Sequence, residues 1–114
     1  MKIEFQHENG VTIAVLSGRL DSATSPAAEQ ELTAELEHST GFLIDLAEVE
    51  YVSSAGLRVF LMLAKRARTQ AVALGLCSLR EEVEEIFDIS GFLTLFALFP
   101  GREAGVRALA SGER

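Results

Sequence analysis

The feature that most constrains the fold of this chain is a near-continuous apolar run at residues 42–46, interrupted only by Asp45. Such a run is typical of a strand that is buried on both faces of a sheet. A second run of this kind occupies residues 71–77, and apolar side chains at helical spacing lie between the two. A buried strand, a helix and another buried strand in succession predict a mostly parallel sheet with helices packed on it.

The remaining periodicity predicts nine elements in the order β-β-α-β-α-β-α-β-α. The expected strands are at residues 2–6, 11–17, 42–46, 71–77 and 93–99. The expected helices begin near residues 25, 53, 78 and 102, and the second ends near residue 69. Residues 47–50 are expected to be a short link. We therefore predict an α/β fold: one domain over residues 1–114, with a mixed, mostly parallel sheet of about five strands and about four helices.

Turn and cap signals mark several of these boundaries. Asn9-Gly10 between two apolar runs predicts a hairpin, which would place the first strand antiparallel to the second. Ser25 is predicted to be an N-cap, with Pro26 at the first helical position. Residues 78–81 match a capping box, and Gly91 suits the position after a helix.

Charge and composition exclude several classes of function. The formal net charge of −7 disfavours binding to nucleic acids or to anionic membranes. No apolar stretch reaches the ~18 residues that a membrane-spanning helix needs, and the start of the chain does not resemble a secretory signal. The single cysteine, Cys77, lies in an apolar run and is predicted to be a buried thiol in a reducing compartment. We expect a cytoplasmic protein.

Catalytic signatures are missing from the sequence. The two histidines, His7 and His38, lie at element ends and are predicted to be on the surface. Ser53 and Ser54 lie at a strand-to-helix turn, but the first glycine of a nucleophile elbow and a plausible base are absent. Neither a phosphate-binding loop nor metal-ligand spacing is present. We therefore expect no enzyme activity, no cofactor and no metal, and helix capping is the simplest role for these serines.

Four segments of the sequence resemble the STAS domain family, in particular its anti-sigma factor antagonists. The segments, which occur in the family's order, are residues 16–21 (LSGRLD), 43–46 (LIDL), 49–57 (VEYVSSAGL) and 86–92 (IFDISGF). The third resembles the central signature that carries the phosphorylated serine at the start of a helix. The family often has Asp before that serine, where this chain has Ser53.

The resemblance implies a partner-switching protein. Such a protein binds a serine kinase of the GHKL type, which doubles as an anti-sigma factor, and is released when its serine is phosphorylated. A PP2C-type phosphatase resets the switch. The resemblance implies Ser54 as the phosphoacceptor and the following partner-binding residues: Asp21, Ser53, Ser54, Ala55, Gly56 and Arg58. Because Asp21 lies in a polar loop, we expect it to matter more for partner binding than for stability.

Other functions remain open at this point. The chain could be a STAS subunit of a transport or lipid-trafficking complex that docks on an ATPase without phosphorylation. It could also use the same switch on a target in secretion or biofilm control. A small serine hydrolase is a third alternative, which the missing elbow motif disfavours.

Overall fold

The computed structural model describes residues 1–110, which form a five-stranded mixed sheet with helices on both faces. The strands are β1 (Lys2–Glu8), β2 (Val11–Leu20), β3 (Gly41–Val52), β4 (Ala73–Cys77) and β5 (Ala97–Phe99). The helices are α1 (Ser25–Leu36), α2 (Ser54–Gln70), α3 (Glu81–Ile89) and α4 (Arg102–Ala110), and a short 3₁₀ helix spans Leu93–Leu95. The predicted class and element order are confirmed, while the expected boundary at residue 114 lies outside the described residues.

The strands lie in the sheet in their order along the chain, from β1 to β5. β1 pairs antiparallel with β2 through the predicted hairpin, where Asn9 and Gly10 both have positive φ. The other three pairings are parallel. All the helix N-termini that follow parallel strands therefore lie at the same edge of the sheet, beyond the carboxyl ends of those strands.

The apolar run of β3 is buried on both faces, as its composition predicts. Phe42, Ile44 and Leu46 belong to a large core, which also contains the buried sides of α1, α2 and α3. Leu43, between them, belongs to a smaller core on the opposite face with Val106 of α4. The strand thus contributes alternate side chains to two hydrophobic layers, which explains why nearly all of them are apolar.

The second half of β3 corrects one prediction. Residues 47–50 are not a link, because β3 continues without a break to Val52 and pairs there with β2. β4 pairs only with residues 41–45 of β3, and β1 pairs with β2 no further than Ser17. The carboxyl ends of β2 and β3 therefore form a two-stranded ribbon that extends past the rest of the sheet, and α2 begins at its tip.

Three predictions of element ends are wrong. Ser25 is the first residue of α1 rather than its N-cap; its N–H donates to the Asp21 carbonyl at 2.9 Å, and its buried hydroxyl has no partner among the described residues. The capping box at residues 78–81 does not form, because Arg80 occupies the N-cap position of α3 and Ser78 has left-handed backbone geometry. The expected strand at residues 93–99 is interrupted by the 3₁₀ helix, which leaves only β5.

Two predictions of packing are confirmed. Gly91 follows α3 with φ of +76°, and the N–H of Phe92 bonds back to the Phe87 carbonyl at 2.8 Å, as a glycine-terminated helix requires. Cys77 is fully buried, and this burial raises the pKa of its thiol to about 11.

None of the helices within residues 1–110 combines the length and apolar character needed to cross a membrane.

Candidate functional site

The start of α2 is held by Ser53. This residue has extended backbone geometry, and its Oγ accepts a hydrogen bond from the Gly56 N–H at 3.2 Å. Its own N–H donates to the Leu20 carbonyl at 2.9 Å, and its carbonyl accepts from the Leu57 N–H at 2.8 Å. Ser53 is thus the N-cap of α2 and the link between that helix and the end of β2, so its hydroxyl is already engaged.

Ser54 has a different environment from its neighbour. It is the first residue of α2, its side chain is exposed, and its hydroxyl makes no hydrogen bond with any residue among 1–110. The first turn of α2 contains no acidic side chain of its own, and the positive end of the helix dipole lies there. Of the two serines, Ser54 is the one with a free, accessible hydroxyl at a helix N-terminus.

Gly56 allows the close approach between α2 and the ribbon. A Cβ at this position would lie 2.7 Å from the Leu20 carbonyl oxygen and 3.0 Å from side-chain atoms of both Leu20 and Val52. Real Cβ atoms do not approach oxygen so closely, and therefore only glycine fits without a shift of the backbone. Gly56 is buried and is a positioning residue for the helix rather than a surface that a partner could touch.

Ala55 and Arg58 complete the predicted set on α2. Ala55 is partly buried beside Gly56, whereas Arg58 is exposed. Arg58 lies four residues after Ser54, so both side chains lie on the same face of the helix, one turn apart. Within the described residues Arg58 makes no ion pair, which leaves its charge available on the Ser54 face.

Asp21 organises the turn that follows β2. Its Oδ1 accepts hydrogen bonds from the N–H groups of Ala23 at 3.0 Å and Thr24 at 3.1 Å, while the Thr24 hydroxyl accepts from the Asp21 N–H at 2.9 Å. The Thr24 N–H is the largest influence that holds the pKa of this carboxyl below its usual value. Asp21 therefore has a structural role that the polar character of the loop did not predict.

The structure brings Asp21 and the serines together at the tip of the ribbon. The Leu20 carbonyl accepts the hydrogen bond from Ser53, and Asp21 is the next residue after Leu20. The sequence segments around Asp21 and Ser54, more than thirty residues apart, thus meet at one edge of the sheet. Asp21, Ser53, Ser54 and Arg58 form what we call the α2 tip, together with the two small residues that shape it.

Two further residues at this end were not predicted as part of the site. Arg19 and Tyr51 pair in register on β2 and β3, and the Arg19 Cζ lies 4.6 Å from the centroid of the Tyr51 ring. The Arg19 Nε is 4.0 Å from the Asp21 Oδ2. Since β3 was expected to be interrupted before Tyr51, the sequence pattern carried no signal that these two residues are neighbours.

The chemistry available at the α2 tip is limited to hydroxyl, carboxylate and guanidinium groups. His7 and His38 are exposed, as predicted, and His7 faces Glu35 at 3.6 Å, on β1 and α1 respectively. No three side chains of His, Cys, Asp or Glu within residues 1–110 are grouped in a way that could hold a metal ion. The α2 tip therefore presents an accessible hydroxyl beside charged side chains.

Comparison with known proteins finds relatives that are assigned as anti-sigma factor antagonists. It is 40% identical over 109 residues to BtrV of Bordetella bronchiseptica, which is provisionally assigned as an anti-sigma factor antagonist; the match covers 95% of this chain and 94% of BtrV. It is 29% identical to the anti-sigma-B factor antagonist of Bacillus subtilis, over 90% of this chain and 93% of that protein.

The fold has a close counterpart among solved structures. An anti-sigma factor antagonist from Mycobacterium paratuberculosis superposes with a TM-score of 0.86 at 23% identity, covering 95% of this chain and 92% of that one. The family model of the STAS domain matches residues 2–105. The chain therefore belongs to the STAS domain family, and the resemblance seen in its sequence is confirmed.

Proposed function

We propose that this protein is an anti-sigma factor antagonist that works as a partner switch controlled at Ser54. In this proposal the unphosphorylated protein binds a serine kinase of the GHKL type that doubles as an anti-sigma factor. Phosphorylation of Ser54 releases the kinase, and a PP2C-type phosphatase restores the binding form. The observation that carries the proposal is that Ser53 caps α2 with its hydroxyl, while the hydroxyl of Ser54 is free.

A phosphate on Ser54 is compatible with the folded domain. The first N–H groups of a helix have no partners within it, and together with the dipole they favour an anion at this position. Because the cap is made by Ser53, modification of Ser54 removes no hydrogen bond that the structure uses. We therefore expect phosphorylation to change the surface while leaving the fold intact.

Phosphorylation of Ser54 would add negative charge where Asp21 is already negative. A phosphate adds about 1.5 to 2 negative charges and three acceptor oxygens at pH 7. The Asp21 carboxylate lies at the same edge and is ionised at neutral pH, since its pKa lies below the already acidic value of an ordinary Asp. A partner surface that fits a neutral hydroxyl beside one carboxylate would have to accommodate the additional charge while desolvated, which is costly.

The rival roles share the fold and differ only in what the α2 tip does. Fold alone does not assign function, and a STAS subunit that docks without phosphorylation would have the same architecture. The free hydroxyl of Ser54 supports the switch, because it leaves an acceptor at the helix N-terminus that phosphorylation requires and that static docking does not. The target of the kinase, whether a sigma factor or a regulator of secretion or biofilm formation, is a separate property of the partner.

The first experiment identifies the modified residue. The protein is incubated with a GHKL-type kinase that binds it and with ATP, and the phosphate is mapped by mass spectrometry. We expect phosphate on Ser54, none on the Ser54→Ala variant, and continued modification of Ser54 in the matched Ser53→Ala variant. Phosphate on Ser53 alone would mean that the acceptor position is misassigned.

The second experiment tests release. Ser54→Ala, Ser54→Asp and the phosphorylated protein are each titrated against the kinase by calorimetry. We expect Ser54→Ala to bind as the unmodified protein does and Ser54→Asp to bind more weakly, although a carboxylate carries less charge than a phosphate. Equal affinity for all three would exclude release by charge and favour the static docking subunit.

A further inference from the structure

The ribbon of β2 and β3 presents an arginine and a tyrosine on a face that no described helix covers. Leu20 and Val52 point towards α2, where they surround Gly56. Their neighbours in the strands, Arg19 and Tyr51, lie on the opposite face, since successive side chains of a strand alternate. Both are exposed, and Tyr51 is among the few large apolar side chains that are, at 38%.

The helix on that side of the sheet does not reach them. Contacts of α4 with β3 involve the earlier part of the strand: Arg102 bonds to Asp45, Gly105 adjoins Leu43, and the chain near Leu109 adjoins Gly41. Just beyond Asp45 the ribbon is also contacted by Arg80, which donates to the Ala47 carbonyl at 2.9 Å. Further along, one face lies against α2, and the face with Arg19 and Tyr51 is open to solvent. Arg19 and Tyr51 are the cation and the ring on this open face.

Arg19 is held in place before any partner binds. Its guanidinium carbon lies 4.6 Å from the Tyr51 ring centroid, a cation–π distance, and its Nε lies 4.0 Å from the Asp21 carboxylate. Its side chain is nevertheless 58% exposed, and its guanidinium donates no hydrogen bond to any residue within 1–110. A guanidinium has five N–H donors in a rigid fork, so this one is oriented and still unsatisfied by protein groups.

The pair adjoins the α2 tip. Tyr51 comes three residues before Ser54 on the same strand-to-helix connection, and Arg19 directly precedes Leu20, whose carbonyl accepts the Ser53 N–H. Arginine and tyrosine are also among the residue types that most often dominate binding energy at protein interfaces. A partner that covers Ser54 would therefore meet Arg19 and Tyr51 at the edge of its footprint.

We propose that Arg19 and Tyr51 form a second anchor of the partner interface, in which Arg19 binds a carboxylate of the partner kinase. The inference rests on the proposed function, because it assigns specificity within the same interface. Glu50 and Asp21 are acidic neighbours of the pair, whereas Glu48 is paired with Arg80 at 3.8 Å. A partner carboxylate at this end of the ribbon is therefore accepted where Arg19 offsets the charge of Glu50 and Asp21. Such an arrangement selects partners by the position of an acidic side chain.

The test compares affinities for the kinase by calorimetry. We expect Arg19→Glu to weaken binding by about 30-fold or more, as loss of an interface anchor does. Arg19→Lys keeps the charge and loses the fork, and Tyr51→Leu loses the ring; each is expected to weaken binding by about 5- to 10-fold. The matched control is Arg107→Glu on α4, where the Arg107 side chain is 72% exposed. The affinity of this variant for the kinase is expected to stay within about twofold of the wild-type affinity.

A further variant and a comparison keep the outcomes separate. Arg19→Gln, which removes the charge without adding a carboxylate beside Asp21, is expected to weaken binding by about 10-fold with an unchanged thermal midpoint. If Arg19→Gln and Arg19→Glu bind as tightly as Arg107→Glu while Ser54→Asp still weakens the complex, the second anchor is wrong and the switch stands. If the wild-type protein does not bind the kinase, the proposed function fails together with this inference.

Discussion

The substitution Gly56→Ala sets two effects of opposite sign against each other. Alanine raises helix propensity by up to about 1 kcal/mol relative to glycine, so on local grounds α2 would gain stability. The new Cβ, however, would lie 2.7 Å from the Leu20 carbonyl oxygen, which is a backbone atom, and 3.0 Å from the Val52 side chain. Overpacking of a buried site costs about 1 to 3 kcal/mol.

The clash is expected to dominate because its neighbours cannot move independently. The Leu20 oxygen is held by the Ser53 N–H at 2.9 Å, so relief of the contact also strains a hydrogen bond worth about 1 kcal/mol. We expect Gly56→Ala to lose about 2 kcal/mol of unfolding free energy in total, which corresponds to a fall of about 8 °C in the thermal midpoint.

Urea unfolding followed by circular dichroism measures this loss, with Gly101→Ala as the matched control. A Cβ at Gly101 meets no atom within 4 Å, and the residue does not have positive φ. Its substitution is expected to change the unfolding free energy by less than about 1 kcal/mol. A Gly56→Ala protein as stable as the wild type would show that helix propensity outweighs the contact and that α2 does not approach the ribbon so closely.

Three further changes test the turn after β2, the buried thiol and the ion pair between Arg102 and Asp45. Asp21→Ala should lower the urea midpoint more than Asp21→Asn, which keeps an acceptor oxygen for the turn, and equal midpoints would exclude the turn role. Backbone hydrogen bonds lower the pKa of the Asp21 carboxyl, so its contribution to stability is present at neutral pH and is lost as pH falls through that pKa. Cys77 should resist alkylation at pH 9, because only about one thiol in a hundred is ionised there when the pKa is about 11. It should react once the protein is unfolded in urea. Rapid labelling of the folded protein would contradict the burial of Cys77. Arg102→Ala should cost about 2 kcal/mol, because the buried Asp45 carboxylate loses its 2.8 Å partner and keeps only the hydrogen bond from the Ala47 N–H. Arg107→Ala, at an exposed pair, should cost less than about 0.5 kcal/mol. Equal losses of unfolding free energy would mean that burial of Asp45 does not strengthen its ion pair.

Part of the α2 tip could be predicted from the sequence, because a helix start and its cap depend on residues that are close together in the chain. A serine pair directly before an apolar helical stripe indicates a helix start, and the structure confirms Ser53 as its cap. The exposure of Ser54 follows from the same geometry, since the first helical residue after a cap points away from it. The role of Ser54 as phosphoacceptor stays a prediction that depends on family resemblance.

The hairpin, the buried strands and the order of elements are determined by the sequence alone. Apolar runs such as residues 42–46 and the Asn9-Gly10 turn act over a few residues, so periodicity and backbone preference suffice to predict them. The order of elements then restricts the sheet to a mostly parallel arrangement, because the connections between its central strands are helical.

Only the tertiary structure decided the second half of β3 and the contacts that depend on it. Residues 47–50 lack a strand pattern and become a strand because β2 provides hydrogen-bond partners and a bulge absorbs the irregular register. The same pairing brings Arg19 onto Tyr51, and the packing of α4 brings Arg102 onto Asp45, 57 residues away along the chain. Contacts of this kind arise from strand register and helix docking, which no short stretch of sequence encodes.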